Sequence, residues 1–183
     1  MKKIVLRFGL ASGALLVAMA SVTVPLCMRG ALDLDHSEIL GYSEMVLSFL
    51  LVFFGVRSYR DNVAGGSIGF GKAFQVGLLI TLITCAMYVI AWEITYFNFF
   101  PNFLDTYSAH TIAKMRSTGA SEAAIRETST KIAELAKNYT NPFFNSAITF
   151  MEVFPVGLIM TLISAAILRR KPREEAPASA VPA

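Results

Sequence analysis

Four long apolar runs alternate with short polar segments along the chain. The runs cover residues 4–28, 39–56, 73–97 and 143–168, and each contains few charged side chains. Membrane-spanning helices need about 17–25 predominantly apolar residues, and every run reaches that length. The pattern therefore predicts an all-α fold, an integral membrane four-helix bundle.

The first run also fits a second interpretation. Lys2, Lys3 and Arg7 precede it, and Ala18–Ala20 matches the A-x-A pattern at which signal peptides are cleaved. The apolar character continues past that point to Met28, which favours a retained span over a cleaved leader.

The one sizeable polar region, residues 98–142, lies between the third and fourth runs. Pro101 suits the first turn of a helix, Gly119 a helix stop, and Ser121 the N-cap of a second helix that ends near Asn138. The apolar stripe of this region is too narrow to form a core of its own. We expect a helical hairpin that lies over one face of the membrane.

Basic residues are concentrated on one side of the predicted bundle. Ten of the 16 Lys and Arg residues fall at the termini or between the second and third runs: Lys2, Lys3, Arg7, Arg57, Arg60, Lys72, Arg169, Arg170, Lys171 and Arg173. The positive-inside rule then predicts cytoplasmic termini and an extracytoplasmic hairpin, as in a bacterial inner-membrane protein. Residues 1–171 would form one membrane domain, and the Pro- and Ala-rich residues 172–183 a disordered cytoplasmic tail.

The composition agrees with a membrane environment and offers no catalytic motif. Hydrophobic residues make up 55% of the chain and charged residues 16%, against about 45–50% and 25% in soluble domains. The two cysteines have no Cys-x-x-Cys or Cys/His spacing, so neither a disulfide framework nor a metal site is expected. We expect no cofactor, no enzymatic activity and no nucleic-acid partner; the surrounding partner is the lipid bilayer.

Three carboxylates lie inside predicted spans: Glu44, Glu93 and Glu152. An ionisable group at membrane depth costs about 2.5–3.5 kcal/mol on insertion scales, so each needs a partner or a function. One interpretation is that they are wetted or hydrogen-bonded between helices. The other is a shared polar pocket, open to the outside, that binds a cation or relays protons. Glu152 is the strongest candidate. Pro155 removes the amide that would bond to the Met151 carbonyl, which leaves a free hydrogen-bond acceptor one residue from this carboxylate.

Small residues recur at helical spacing in three runs. The segment from Phe74 to Thr84 is echoed eighty positions later, and a G-x-x-x-G pattern stands in the first run. Such stripes allow helix backbones to approach closely, within a chain or between chains. They predict packing faces, and contact with a second copy or another membrane protein, at Gly9, Gly13, Gly77, Thr81, Gly157 and Thr161.

The segment between the second and third runs is basic and rich in glycine. Its last residues, Gly66–Lys72, fit G-x-x-x-x-G-K, but Ala73 stands where a phosphate-binding loop needs Ser or Thr. A flexible loop is the better interpretation. We expect its charged and aromatic members to face anionic headgroups, as a set of Arg57, Tyr59, Arg60 and Lys72.

Several sequence blocks resemble the DUF4199 family. They are Glu38–Tyr42, Phe53–Asn62, Gly69–Phe74 and Glu152–Gly157. The resemblance, over about residues 1–172, implies a small bacterial inner-membrane protein with four spans, a retained first helix and no assigned activity. We expect a non-enzymatic structural or partner-binding protein. The alternative is a small transporter or ion- or proton-coupled protein that uses Glu44, Glu93 and Glu152.

Overall fold

Each apolar run is a long α-helix in the computed structural model, which describes residues 1–32 and 37–170. The helices there are α1 (Lys2–Met28), α2 (Ser37–Asn62), α3 (Phe70–Phe99), α4 (Phe103–Ser117), α5 (Glu122–Tyr139) and α6 (Pro142–Leu168). Four of them, α1, α2, α3 and α6, are long and apolar enough to cross a membrane. The predicted all-α, four-span architecture is confirmed. The predicted disordered tail, residues 172–183, lies outside the described residues.

The four long helices pack around a shared apolar centre. Helices α1 and α6 stand at opposite corners, and each of them contacts both α2 and α3. Phe49, Val52 and Ile80 fill the centre and are fully buried. The outward surface is equally apolar, with Ile90 and Ile167 exposed over more than half of their area. An apolar surface around an apolar core is what a bundle solvated by lipid requires.

The recurring small residues meet each other where α3 crosses α6. The hydroxyls of Thr81 and Thr161 lie 2.9 Å apart, and Thr81 Oγ1 also donates to the Gly157 carbonyl at 3.3 Å. A Cβ on Gly77 would lie 2.9 Å from Thr161 Cγ2, and a Cβ on Gly157 would lie 2.5 Å from Thr81 Cγ2. Each glycine therefore makes room for the threonine of the other helix.

The glycines of the first helix are used in the same way. A Cβ on Gly9 would lie 2.8 Å from Ile83 Cβ, and one on Gly13 would lie 2.6 Å from Met87 Sδ. All four packing glycines therefore face helices of their own chain. A second copy or another membrane protein would have to bind elsewhere on the bundle.

The sequence predicts a basic loop that includes Arg57, Tyr59, Arg60 and Lys72. This prediction was wrong, because the loop covers only residues 63–69. Arg57, Tyr59 and Arg60 belong to the last turns of α2, and Lys72 belongs to the first turn of α3. Nothing before Asn62 breaks a helix, and the chain turns only at two glycines of positive φ, residues 65 and 66. Tyr59 is buried in the core instead of facing headgroups.

The short loop of residues 63–69 is tied to the end of α6. Ile68 N donates to the Arg170 carbonyl at 3.1 Å, and Arg170 N donates to the Ile68 carbonyl at 2.9 Å. Ile68 is also buried. This pairing holds the start of α3 and the end of α6 at the same end of the bundle.

Helices α4 and α5 occupy the polar region and contact each other. Helix α5 begins as predicted, because the Ser121 hydroxyl accepts a hydrogen bond from the Ala124 amide at 3.2 Å. Gly119, at φ 76°, makes the turn between the two helices. They form a hairpin that joins the ends of α3 and α6.

Candidate functional site

A cavity of about 480 Å³ lies under the hairpin, at the end of the bundle opposite to Met1 and Arg170. All six described helices contribute to its wall. Ligand pockets of about 300–1,000 Å³ with mostly apolar walls and a few polar groups are typical of small-molecule sites. Its charged lining residues are Glu38, Glu44 and Glu152, and among the described residues that line it there is no Lys, Arg or His.

Glu44 faces the cavity from α2. The hydroxyl of Thr23, on α1, donates a hydrogen bond to Glu44 Oε1. This bond joins α1 to α2 and orients the carboxylate, and it leaves the other carboxylate oxygen to the cavity.

Glu152 faces the same cavity from α6. Within residues 1–32 and 37–170 it has no hydrogen bond and no ion pair, and Glu38 lines the same cavity. An ionised carboxylate inside a membrane span is unfavourable unless water or a cation compensates it, and protonation is the alternative. Glu152 is exposed and lines the cavity, so its carboxyl group is accessible from that space.

Glu38 is a cavity residue that the sequence did not reveal. Glu38 lies in the first turn of α2. Its charge and its position before the second apolar run predict instead that it belongs to the polar segment between the first two runs. Glu38, Tyr42 and Met45 follow at helical spacing and all line the cavity. That spacing is the signal that could have assigned Glu38 to the helix face.

Glu93, the third predicted site residue, is not part of the cavity wall. Its Oε1 accepts a hydrogen bond from Ser146 Oγ at 3.0 Å, which links α3 to α6. The structure thus brings together two of the three intramembrane carboxylates. Glu93 matches the interpretation of a hydrogen bond between helices.

Aromatic residues of α3 connect the bundle to the hairpin. Trp92 Nε1 donates to the Tyr139 hydroxyl at 3.2 Å, and the ring of Tyr96 meets the ring of Tyr139 edge-on at 5.2 Å. Trp92 also packs edge-on against Phe103 of α4, with ring centroids 5.3 Å apart. These contacts make a roof over the cavity, in which Leu104 and Tyr139 are buried.

Tyr139 is an uncharged part of that roof. Burial raises the pKa of its phenol, and the carboxylates of Glu152 and Glu93 add to the increase. Hydrogen bonds with Thr149 and Trp92 act in the opposite direction on the pKa. The phenol therefore stays protonated at neutral pH and offers the cavity a hydrogen-bonding group without a charge.

The carboxylates share the cavity without converging on one point. Within the described residues, no group of three or more His, Cys, Asp or Glu side chains is close enough to hold a metal ion. Protein sites for hard cations such as Ca²⁺ gather six to eight oxygen ligands around one position. The arrangement of the described carboxylates therefore differs from such a compact cation site.

The opposite end of the bundle carries the basic residues. The described Lys and Arg residues at that end are Lys2, Lys3, Arg7, Arg57, Arg60, Lys72, Arg169 and Arg170. Arg60 Nε lies 2.7 Å from Asp61 Oδ1, and Arg57 Nε lies 3.6 Å from Asp61 Oδ2. The bundle is therefore polarised, with acidic groups in the cavity and basic groups at the far end.

A bundle of four membrane-length helices with a partly polar interior defines the class: this is a multi-pass helical membrane protein. Within that class the chain belongs to the DUF4199 family, described as a protein of unknown function, whose family model matches residues 7–170. The comparisons with curated proteins and with solved structures give no match.

Proposed function

We propose that this protein is a non-enzymatic protein of the bacterial inner membrane that binds a small organic cation in the cavity under its hairpin. It would act as a small transporter or as a cation-coupled membrane protein. The observation that carries the proposal is a single cavity walled by Glu38, Glu44 and Glu152, with no basic side chain among its described lining residues. Such a wall attracts positive charge and repels anions.

Energetics support a bound cation more than an empty site. Each carboxylate at membrane depth is unfavourable by about 2.5–3.5 kcal/mol, and a cation that pairs with it offsets part of that free energy. The aromatic wall adds attraction, because a cation near the face of a Trp or Tyr ring gains about 0.5–2 kcal/mol. Trp92 and Tyr88 both line the cavity and bring aromatic rings to its wall.

The proposed orientation follows from the distribution of charge. Eight described Lys and Arg residues lie at the end that holds Met1 and Arg170, and the positive-inside rule favours a cytoplasmic location for that end. The hairpin and the cavity would then be on the extracytoplasmic side. A purely structural role through the packing glycines has less support, since Gly9, Gly13, Gly77 and Gly157 are covered within the chain.

Binding can be measured through the only tryptophan of the chain, Trp92, because it lines the cavity. The intact protein in lipid nanodiscs would be titrated with tetraphenylphosphonium, n-hexylamine, 1,5-diaminopentane and spermidine. We expect a saturable change in fluorescence with at least one of these cations. Glu152→Gln and Glu44→Gln should each weaken it about tenfold or more, since each removes one charge from the wall.

Glu93→Gln is the matched control, because Glu93 lies in a span but outside the cavity wall. It should leave the affinity within about twofold of the native protein. The proposal is wrong if none of the four cations binds, or if Glu93→Gln weakens binding as much as Glu152→Gln does. Each variant is compared only after it elutes as one monodisperse species.

A further inference from the structure

The carboxylates of the cavity are spread along its wall. Glu38 and Glu44 are six residues apart on α2, which corresponds to roughly 9 Å along the helix axis at ~1.5 Å per residue. Glu152 comes from a different helix, α6. No three acidic side chains of the described chain meet closely enough to hold one metal ion. One compact cation therefore cannot pair with all three carboxylates at once.

Much of the cavity wall is apolar. Leu16, Met45 and Ile148 contribute aliphatic side chains, and Tyr88 and Trp92 contribute aromatic rings. A methylene chain gains about 0.8 kcal/mol for each buried CH₂ group. The cavity thus offers both separated carboxylates and apolar surface that suits an alkyl chain.

The lengths agree with this pattern. An extended chain advances roughly 1.2 Å per bond, taken from the 3.3–3.6 Å reach of a three-bond peptide unit. The terminal nitrogens of 1,5-diaminopentane are then roughly 7 Å apart, and those of spermidine roughly 11 Å apart. These distances bracket the separation of Glu38 and Glu44 along α2.

Resting on the proposed function, we infer that the ligand is an aliphatic diamine or polyamine, with ammonium groups at separate carboxylates and its methylene chain along the aromatic wall. Three positive charges balance three carboxylates and two leave one negative charge in the wall, whereas a single positive charge leaves two. Glu152, which has no partner among the described residues, would receive one ammonium group, and the α2 carboxylates would receive the others.

The test compares unbranched amines of similar length that carry different numbers of positive charges. 1,5-Diaminopentane and n-hexylamine have the same number of heavy atoms, but only the diamine carries a second ammonium group. With the intact protein in nanodiscs and Trp92 fluorescence as the readout, we expect the diamine and spermidine to bind at least tenfold tighter than n-hexylamine. In Glu38→Gln and Glu152→Gln this ratio should fall toward one, and in Glu93→Gln it should not change.

The outcomes separate this inference from the proposed function. If n-hexylamine binds as tightly as the diamine, or if only tetraphenylphosphonium binds, the ligand is an organic cation of another class and the inference is overturned alone. The same holds if every Gln variant keeps the native ratio. If no cation binds, both proposals fail. The comparison of ligands on the native protein needs no variant, so a variant that misfolds does not prevent the test.

Discussion

At the scale of single residues, the crossing of α3 and α6 depends on Gly157. A Cβ at this position would lie 2.5 Å from Thr81 Cγ2 and 2.7 Å from Phe49 Cζ. Thr81 and Phe49 are both completely buried, so neither has space to move aside. Because Gly157 has no side chain, α3 and α6 approach closely enough for Thr81 Oγ1 to donate a hydrogen bond to the Gly157 carbonyl, at 3.3 Å. The contact therefore combines close packing with a hydrogen bond. These interactions drive the association of helices in lipid, where the hydrophobic effect does not act between them.

Gly157→Ala should lower the free energy of unfolding by about 1–3 kcal/mol, because the added methyl group overpacks the crossing. Gly71→Ala is the matched control, since Gly71 lies in the exposed first turn of α3 and a Cβ there meets nothing within 4 Å. The measurement is the unfolding midpoint of each variant in the same detergent micelles. Equal midpoints for the two variants would contradict the assigned role of Gly157.

At the scale of elements, the attachment of the hairpin depends on the environment of Tyr139. Its phenol accepts from Trp92 Nε1 at 3.2 Å and is almost completely buried, at 7% exposure. Because burial raises its pKa, a released Tyr139 ionises near pH 10 while a docked Tyr139 does not. Above about pH 10 the released state therefore binds fewer protons and gains stability relative to the docked state. Docking is intact below that pH and weakens as the pH rises.

Tyr139→Phe should remove this alkaline dependence. The variant loses the acceptor for Trp92 Nε1, so its docking should be weaker by about 0.5–1.5 kcal/mol at neutral pH. Between pH 8 and pH 11 the Trp92 emission of the native protein should shift to the red as the hairpin releases, and that of the variant should shift less. The other five tyrosines are common to both proteins, so the difference reports on Tyr139. Identical titrations would rule out this role.

The elements differ in how well the sequence predicts them. The four spans follow from uninterrupted apolar length, and the N-cap at Ser121 follows from local chemistry, so both are predictable. The end of α2 is not, because Arg57–Asn62 contains no helix breaker and a change to polar residues does not end a helix. Trp92 and Tyr96 pack on residues of α4 and α5, a contact that span prediction does not consider.

The candidate site shows the same division. Glu44 and Glu152 stand out in the sequence because charge inside an apolar run is unusual. Glu93 stands out for the same reason, yet it bonds to Ser146, since depth alone does not tell which face of a helix a side chain occupies. Glu38 does not stand out, because an acidic residue before a span is ordinary. Its role depends on α1 and α6 standing at opposite corners of the bundle, which is a property of the packing.

At the scale of the whole molecule, the separation of charge gives a topology that can be tested in cells. Basic residues surround the end with Met1 and Arg170, and the hairpin of α4 and α5 joins α3 to α6 at the other end. Both native cysteines, Cys27 and Cys85, are buried, so the native protein should react little with a membrane-impermeant maleimide. One cysteine is then added at an exposed position in each variant. Ser117→Cys reports on the hairpin, and Val63→Cys reports on the loop after α2, at the opposite side.

We expect the maleimide to label Ser117→Cys in intact cells and to label Val63→Cys only after the membrane is permeabilised. The physical reason is that at least eight Lys and Arg residues at one end favour retention of that end in the cytoplasm. Expression level and labelling after permeabilisation serve as controls for both variants. If only Val63→Cys were labelled in intact cells, the orientation of the protein would be the opposite of the one we expect. The cavity would then face the cytoplasm, and its cation would have to be bound from inside.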